Sequence, residues 1–136
     1  MARAECEERL MGNSNYARGA GWERRIKEEL EGFGAMAVIR AAGSHGKVDL
    51  AACFVAGTVL LQVKSGRAKP NRTEWEALRR LGRALSGRCL VGALIVGRGV
   101  RRLQVVAGGV PEGLMPVLRR MEDGGWELPE GLTSSP

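Results

Sequence analysis

A chain of 136 residues sets the scale of one domain around one core. Its 44% hydrophobic and 26% charged residues are an ordinary globular composition, and no apolar run approaches the roughly 20 residues that cross a bilayer, which excludes a helical membrane protein. The formal charge of +6 is uneven: all 21 bases lie at or before Arg120, and Glu122, Asp123, Glu127 and Glu130 follow with no base, leaving 21 bases against 11 of the 15 acids in the body, a balance that suits a polyanionic partner.

Met1 to Asn15 mixes charges, Gly and Asn without clear periodicity and is expected to be a flexible N-terminal arm, with Met11 as an alternative start. It is charged throughout, so no secretory signal is expected and the cytoplasm is the expected compartment. Trp22, Ile26 and Leu30 recur at helical spacing and predict a helix over about 21–31, with Glu23 and Lys27 beside the stripe. Gly32-Phe-Gly ends it. Ala35 to Ala41 reads as a strand, Gly43-Ser-His-Gly as a loop whose glycines permit close approach to a ligand. Val48 to Val55, a turn at Ala56-Gly57, and Thr58 to Ser65 form a hairpin. Alternation puts Leu60, Gln62 and Lys64 on one face of its second strand and Val59, Leu61 and Val63 on the other.

Gly66 to Arg72 is a basic loop. Thr73, with Glu76 three residues on, predicts a capped helix to about Ser86, burying Trp75, Leu78, Leu81 and Leu85 and presenting Arg79, Arg80 and Arg83. Arg88 to Val96 is a strongly apolar strand expected in the sheet interior, and Val100 to Val106 another. Pro111 to Met121 predicts a short helix, and 122–136 an acidic, poorly ordered tail. The order α-β-β-β-α-β-β-α is an α/β sandwich with a central mixed sheet flanked by helices. No GxGxxG opens a helix after a strand, so no dinucleotide site is predicted. Cys6, Cys53 and Cys89 are scattered, which argues against a disulfide framework or a zinc site, and His45 is the only histidine. Arg far outnumbers Lys, which suits bidentate phosphate contacts; a GC-rich genome gives the same bias.

The chemistry-bearing pattern is Asp49 at the start of one hairpin strand and Gln62-x-Lys64 near the end of the next, with Glu23 able to join from the first helix. Phosphodiester hydrolysis needs a hard cation held by carboxylate oxygens and a positive group near the phosphate, and these residue types supply both. Spacing alone leaves other readings open. Asp49 can cap the preceding turn, Glu23 can pair with Lys27, and Gln62 and Lys64 can be edge-strand polar residues.

The runs Arg18-Gly-Ala-Gly-Trp-Glu-Arg, Val38-Ile-Arg, Ala42-Gly-Ser-His-Gly-Lys-Val-Asp-Leu-Ala and Leu61-Gln-Val-Lys resemble the archaeal-type Holliday junction resolvases, in particular their phage and prophage versions. These are PD-(D/E)xK nucleases with a restriction-endonuclease-like fold, and the resemblance covers about 16–64. It implies a nuclease domain over 16–121, a metal site of Glu23, Asp49 and Gln62 for Mg²⁺ (with Mn²⁺ as a substitute), and Lys64 as catalytic lysine. It places Arg24, Arg40 and Ser44 at positions of phosphate contact or catalysis. Arg18, His45 and Lys47, together with Arg67, Lys69 and Arg72 of the basic loop, are expected to add DNA contacts. It further implies a homodimer on four-way junction DNA, with no membrane and no small-molecule cofactor. Where archaeal members carry Glu, this chain has Gln62, which keeps a carbonyl oxygen and loses a charge, so a millimolar rather than micromolar Mg²⁺ requirement is expected. Two alternatives stay open: a restriction-like or repair nuclease acting on other branched or duplex DNA, and a non-catalytic DNA-binding module with a decayed site. The apolar content of Leu90 to Val96, Val100 to Val106 and Leu114 to Met121 suggests that the C-terminal half supplies the dimer interface.

Overall fold

The computed structural model describes residues 14–40, 48–85, 88–106 and 110–132, with only the backbone described over 14–20. The elements run α1 (Ser14–Gly32), β1 (Ala37–Arg40), β2 (Leu50–Phe54), β3 (Gly57–Ser65), α2 (Arg72–Ala84), β4 (Cys89–Gly97), β5 (Val100–Val105), a 3-10 turn (Glu112–Leu114) and α3 (Met115–Asp123). The five strands form one sheet in sequence order, antiparallel except for the parallel β3–β4 pair. The expected α/β sandwich with a mixed sheet is what forms. The parallel pair requires a crossover, and α2 makes it.

Alternation on β3 divides the molecule. Val59 and Leu61 are buried in the main core with Ile26 and Leu30 of α1 and Val117, Leu118 and Met121 of α3. Leu60 faces the other side, packing with Leu78 of α2, Val91, Ala93 and Val106. The sheet is therefore covered by α1 and α3 on one face and α2 on the other. Of the expected α2 stripe, Leu78 is fully buried, while Trp75, Leu81 and Leu85 are partly buried against the same cluster. β4 is buried on both faces from Leu90 to Val96, as its unbroken apolar run requires. Gly92 lets β5 close on it: a Cβ there would lie 2.2 Å from the Gln104 carbonyl oxygen.

Several boundaries differ from the sequence reading. α1 begins at Ser14, inside the expected arm, because Gly19 and Gly21 weaken a helix without ending it when its far half is anchored by buried Ile26 and Leu30. The α2 cap is Asn71, not Thr73. The Asn71 side chain accepts from Glu74 N–H at 2.8 Å, and the Glu74 carboxylate accepts from Asn71 N–H at 3.0 Å, one reciprocal capping box. The acidic segment after Met121 packs instead of trailing as far as it is described. Trp126 is buried, stands edge-on to Phe33 with ring centroids 5.4 Å apart, and donates to Glu29 at 2.9 Å. Glu127 exchanges backbone hydrogen bonds with β5, accepting from Leu103 and donating to Arg101. The signal overlooked was Trp126 itself, a large apolar ring that an acidic context does not expel. Residues 1–13 and 133–136 lie outside the described residues.

Arg101 ties these pieces together. Its guanidinium holds both Glu29 carboxylate oxygens and lies 5.3 Å from the Trp22 ring. The apolar residues expected to form a dimer surface are mostly enclosed within the protomer: Leu90, Val91, Leu94, Val96, Leu103, Leu114, Leu118 and Met121 are all buried in its own cores. Among the described residues the exposed large hydrophobics are Met36, Ile39, Val55 and Val100.

Candidate active site

The site is assembled where β2 begins and β3 ends. The Asp49 N–H donates to the Leu61 carbonyl at 2.8 Å, and Asp49 Oδ2 accepts from the Val63 N–H at 2.8 Å. Asp49 thus clasps the residues on both sides of Gln62. Its carboxylate is held against β3; the preceding turn, which spacing also allowed it to cap, lies outside the described residues.

Gln62 is only 6% exposed, the one buried polar side chain among the described residues. Its Nε2 donates to Glu74 Oε2 at 2.8 Å, while its Oε1 is buried with no hydrogen-bond partner among the described residues. An unmet buried acceptor is costly, of order 1–3 kcal/mol, and calls for a reason. Lys64, two residues along on the same face, brings its Nζ to 2.7 Å from the same Glu74 oxygen. Neither residue is an unpartnered edge-strand polar group.

Glu74 is the residue that sequence reasoning missed. Its signal was Asn71-Arg-Thr-Glu74, the same capping spacing two residues before Thr73 and Glu76. One of its oxygens closes the helix cap and the other holds Gln62 and Lys64. The Lys64 hydrogen bond, then that of Asn71, holds its carboxyl below the ordinary carboxylate range.

Glu23 comes from α1, on the opposite face of the sheet, and reaches the site around the β1–β2 end. It pairs with Arg40, the last residue of β1, and not with Lys27. Burial pushes its carboxyl up; Arg40 opposes this and the Asp49 charge adds to it. The Asp49 charge therefore bears on Glu23 as a like charge, the condition a cation relieves. Among the described residues no three Asp, Glu, His or Cys side chains converge as a metal cluster. The donor set that fits a hard cation is two carboxylates and the unmet amide oxygen of Gln62, all oxygen.

Of the expected DNA contacts, Arg67 and Lys69 are exposed on the loop after β3. Arg72 is exposed and paired with Glu76 one turn on, at 3.2 Å. Arg40 is half exposed beside Glu23, and Arg24 is partly buried on α1. The Arg18 side chain, Ser44, His45 and Lys47 lie outside the described residues.

A family model for the archaeal Holliday junction resolvase matches residues 14–103, from the first residue of α1 into β5. The chain belongs to that family. All four expected site residues and Glu74 fall within the match, which ends before α3 and Trp126. No curated protein and no solved structure matches the chain. Family membership makes a nuclease fold with junction DNA as its substrate class the frame for this site, and among the described residues no helix is long and apolar enough to cross a membrane.

Proposed function

We propose that the protein is a Mg²⁺-dependent, structure-selective endonuclease that resolves four-way DNA junctions as a homodimer. The observation that carries the reading is Asp49 clasping β3 on both sides of Gln62, whose buried Oε1 is unmet while Lys64 lies beside it. Glu23, Asp49 and the Gln62 oxygen would hold the cation. When bound, Mg²⁺ supplies Lewis-acid polarisation of the phosphate and a nucleophilic water at neutral pH.

The chain's own residues supply the rest. Lys64 places a positive charge where the phosphodiester gains negative charge, held by Glu74 in one orientation before the DNA arrives. Arg67 and Lys69 extend from the end of β3 as exposed phosphate contacts that fix the backbone without reading bases. Binding by such contacts weakens steeply with salt. A two-fold dimer matches the near two-fold symmetry of a four-way junction, one cut per protomer. With a neutral amide in place of a third carboxylate, the Mg²⁺ requirement is millimolar.

The test is cleavage of an immobile four-way junction in Mg²⁺ against plain duplex as competitor, using the wild type, Asp49→Asn and Lys64→Ala. Paired symmetric cuts by the wild type alone support the reading. Cleavage of duplex in preference to junction points to a restriction-like or repair nuclease. Tight binding with no product in Mg²⁺ or Mn²⁺ points to a non-catalytic module.

A further inference from the structure

We infer that Glu74 is a positioning residue for the metal site, and that Gln62 and Glu74 together do the work of one carboxylate: Gln62 turns its oxygen to the cation and Glu74 holds the amide and balances the charge. This rests on the reading of Glu23, Asp49 and Gln62 as the cation's ligands.

The geometry is specific. A carboxylate accepts hydrogen bonds and, when ionised, donates none, so Glu74 Oε2 at 2.8 Å fixes which end of the Gln62 amide is nitrogen. The carbonyl oxygen is thereby committed to the opposite side, where it is buried and unmet. Without Glu74 the amide is free to flip and present N–H groups, which repel a cation. Charge gives the second half. Gln62, Lys64 and Glu74 sum to zero, as a glutamate in place of Gln62 beside a lysine would. Removing the Glu74 charge takes away the carboxylate that pairs with the Lys64 ammonium and leaves that cation two residues from the Gln62 oxygen.

The capping box is the rival explanation of Glu74, because its other oxygen accepts from Asn71 N–H. A cap alone gives no reason for the second oxygen to hold two side chains of another element. The two roles separate by experiment.

Mn²⁺ affinity of the full chain without DNA, read by electron paramagnetic resonance of free Mn²⁺, is measured for the wild type, Asp49→Asn, Glu74→Gln, Gln62→Glu and the double variant Gln62→Glu with Glu74→Gln. Glu74→Gln weakens binding about tenfold when Gln62 is kept, within the range for residues that orient metal ligands. In the Gln62→Glu background the same change weakens it less than about twofold: both ends of a glutamate are oxygen, so there is no amide for Glu74 to orient. The double variant binds at least as tightly as the wild type. Asn71→Ala removes the cap and keeps the carboxylate; it lowers the melting temperature and leaves Mn²⁺ affinity within about twofold, the cap alone being worth roughly 1 kcal/mol of stability. An equal effect of Glu74→Gln in both backgrounds, or a loss of Mn²⁺ affinity in Asn71→Ala as large as in Glu74→Gln, overturns the inference while the metal site stands. Absence of Mn²⁺ binding by the wild type, or binding indifferent to Asp49→Asn, overturns the metal site and the inference with it.

Discussion

Glu74 Oε2 stands 2.7 Å from Lys64 Nζ and 2.8 Å from Gln62 Nε2, so a single carboxylate oxygen at the start of α2 holds both polar side chains at the end of β3. The helix cap and the site are one hydrogen-bonded unit.

That unit has a pH signature. The Lys64 and Asn71 hydrogen bonds lower the Glu74 carboxyl, so its contribution to stability is present above the ordinary carboxylate value of about 4.5 and is lost as pH falls through the lower folded value. Glu23 has the opposite sign. Burial raises its carboxyl, so its contribution is present below the ordinary value and is lost as pH rises through the raised one. Melting temperature against pH for Glu74→Gln therefore shows a flatter acid limb than the wild type. Glu23→Gln becomes more stable relative to the wild type as pH rises above about 4.5. Parallel profiles for all three proteins would contradict both assignments.

The cap itself is separately testable. Asn71→Ala costs about 1 kcal/mol in chemical denaturation, and Thr73→Ala, exposed and inside the helix, changes stability by less than about 0.5 kcal/mol. The reverse ranking would restore the register first read from the sequence.

Trp126 anchors the segment after α3 through Phe33 and Glu29. Trp126→Ala is expected to cost about 3–5 kcal/mol, the range for emptying a buried aromatic site. Loss of under about 1 kcal/mol would mean that the segment contributes little, as expected of a poorly ordered tail.

Among the described glycines Gly92 leaves the least room for a Cβ, with the Gln104 carbonyl in the space it would need. Since the obstacle is backbone, relief requires moving β5. Gly92→Ala is expected to destabilise by about 1–3 kcal/mol, and a neutral effect in urea unfolding would show that β4 and β5 separate readily.

Element order and type were legible because the signals were strong and local: the Trp22, Ile26, Leu30 stripe, the alternation of β3, the apolar run of β4. Joining of Glu23 to Asp49 was legible as a possibility from the residues and as an expectation through family resemblance, since α1 and the Gln62 face lie on opposite sides of the sheet. Glu74 was not legible. Its role depends on how the β3–β4 crossover returns α2 over Lys64, a tertiary placement with no periodicity of its own. The packing of Trp126 escaped for the same reason, and the apolar C-terminal half looked available for a partner only because α3's own claim on it cannot be counted in one dimension.

The most direct measurement is cleavage of an immobile four-way junction in millimolar Mg²⁺ by the wild type, Asp49→Asn and Lys64→Ala. Asparagine can still accept from Val63 N–H, so the first variant keeps the fold and removes the charge. A resolvase with this site cuts the junction at paired symmetric positions, falls to the uncleaved baseline with Asp49→Asn, and slows by about 10²–10³ with Lys64→Ala. Undiminished cleavage by Asp49→Asn would contradict it.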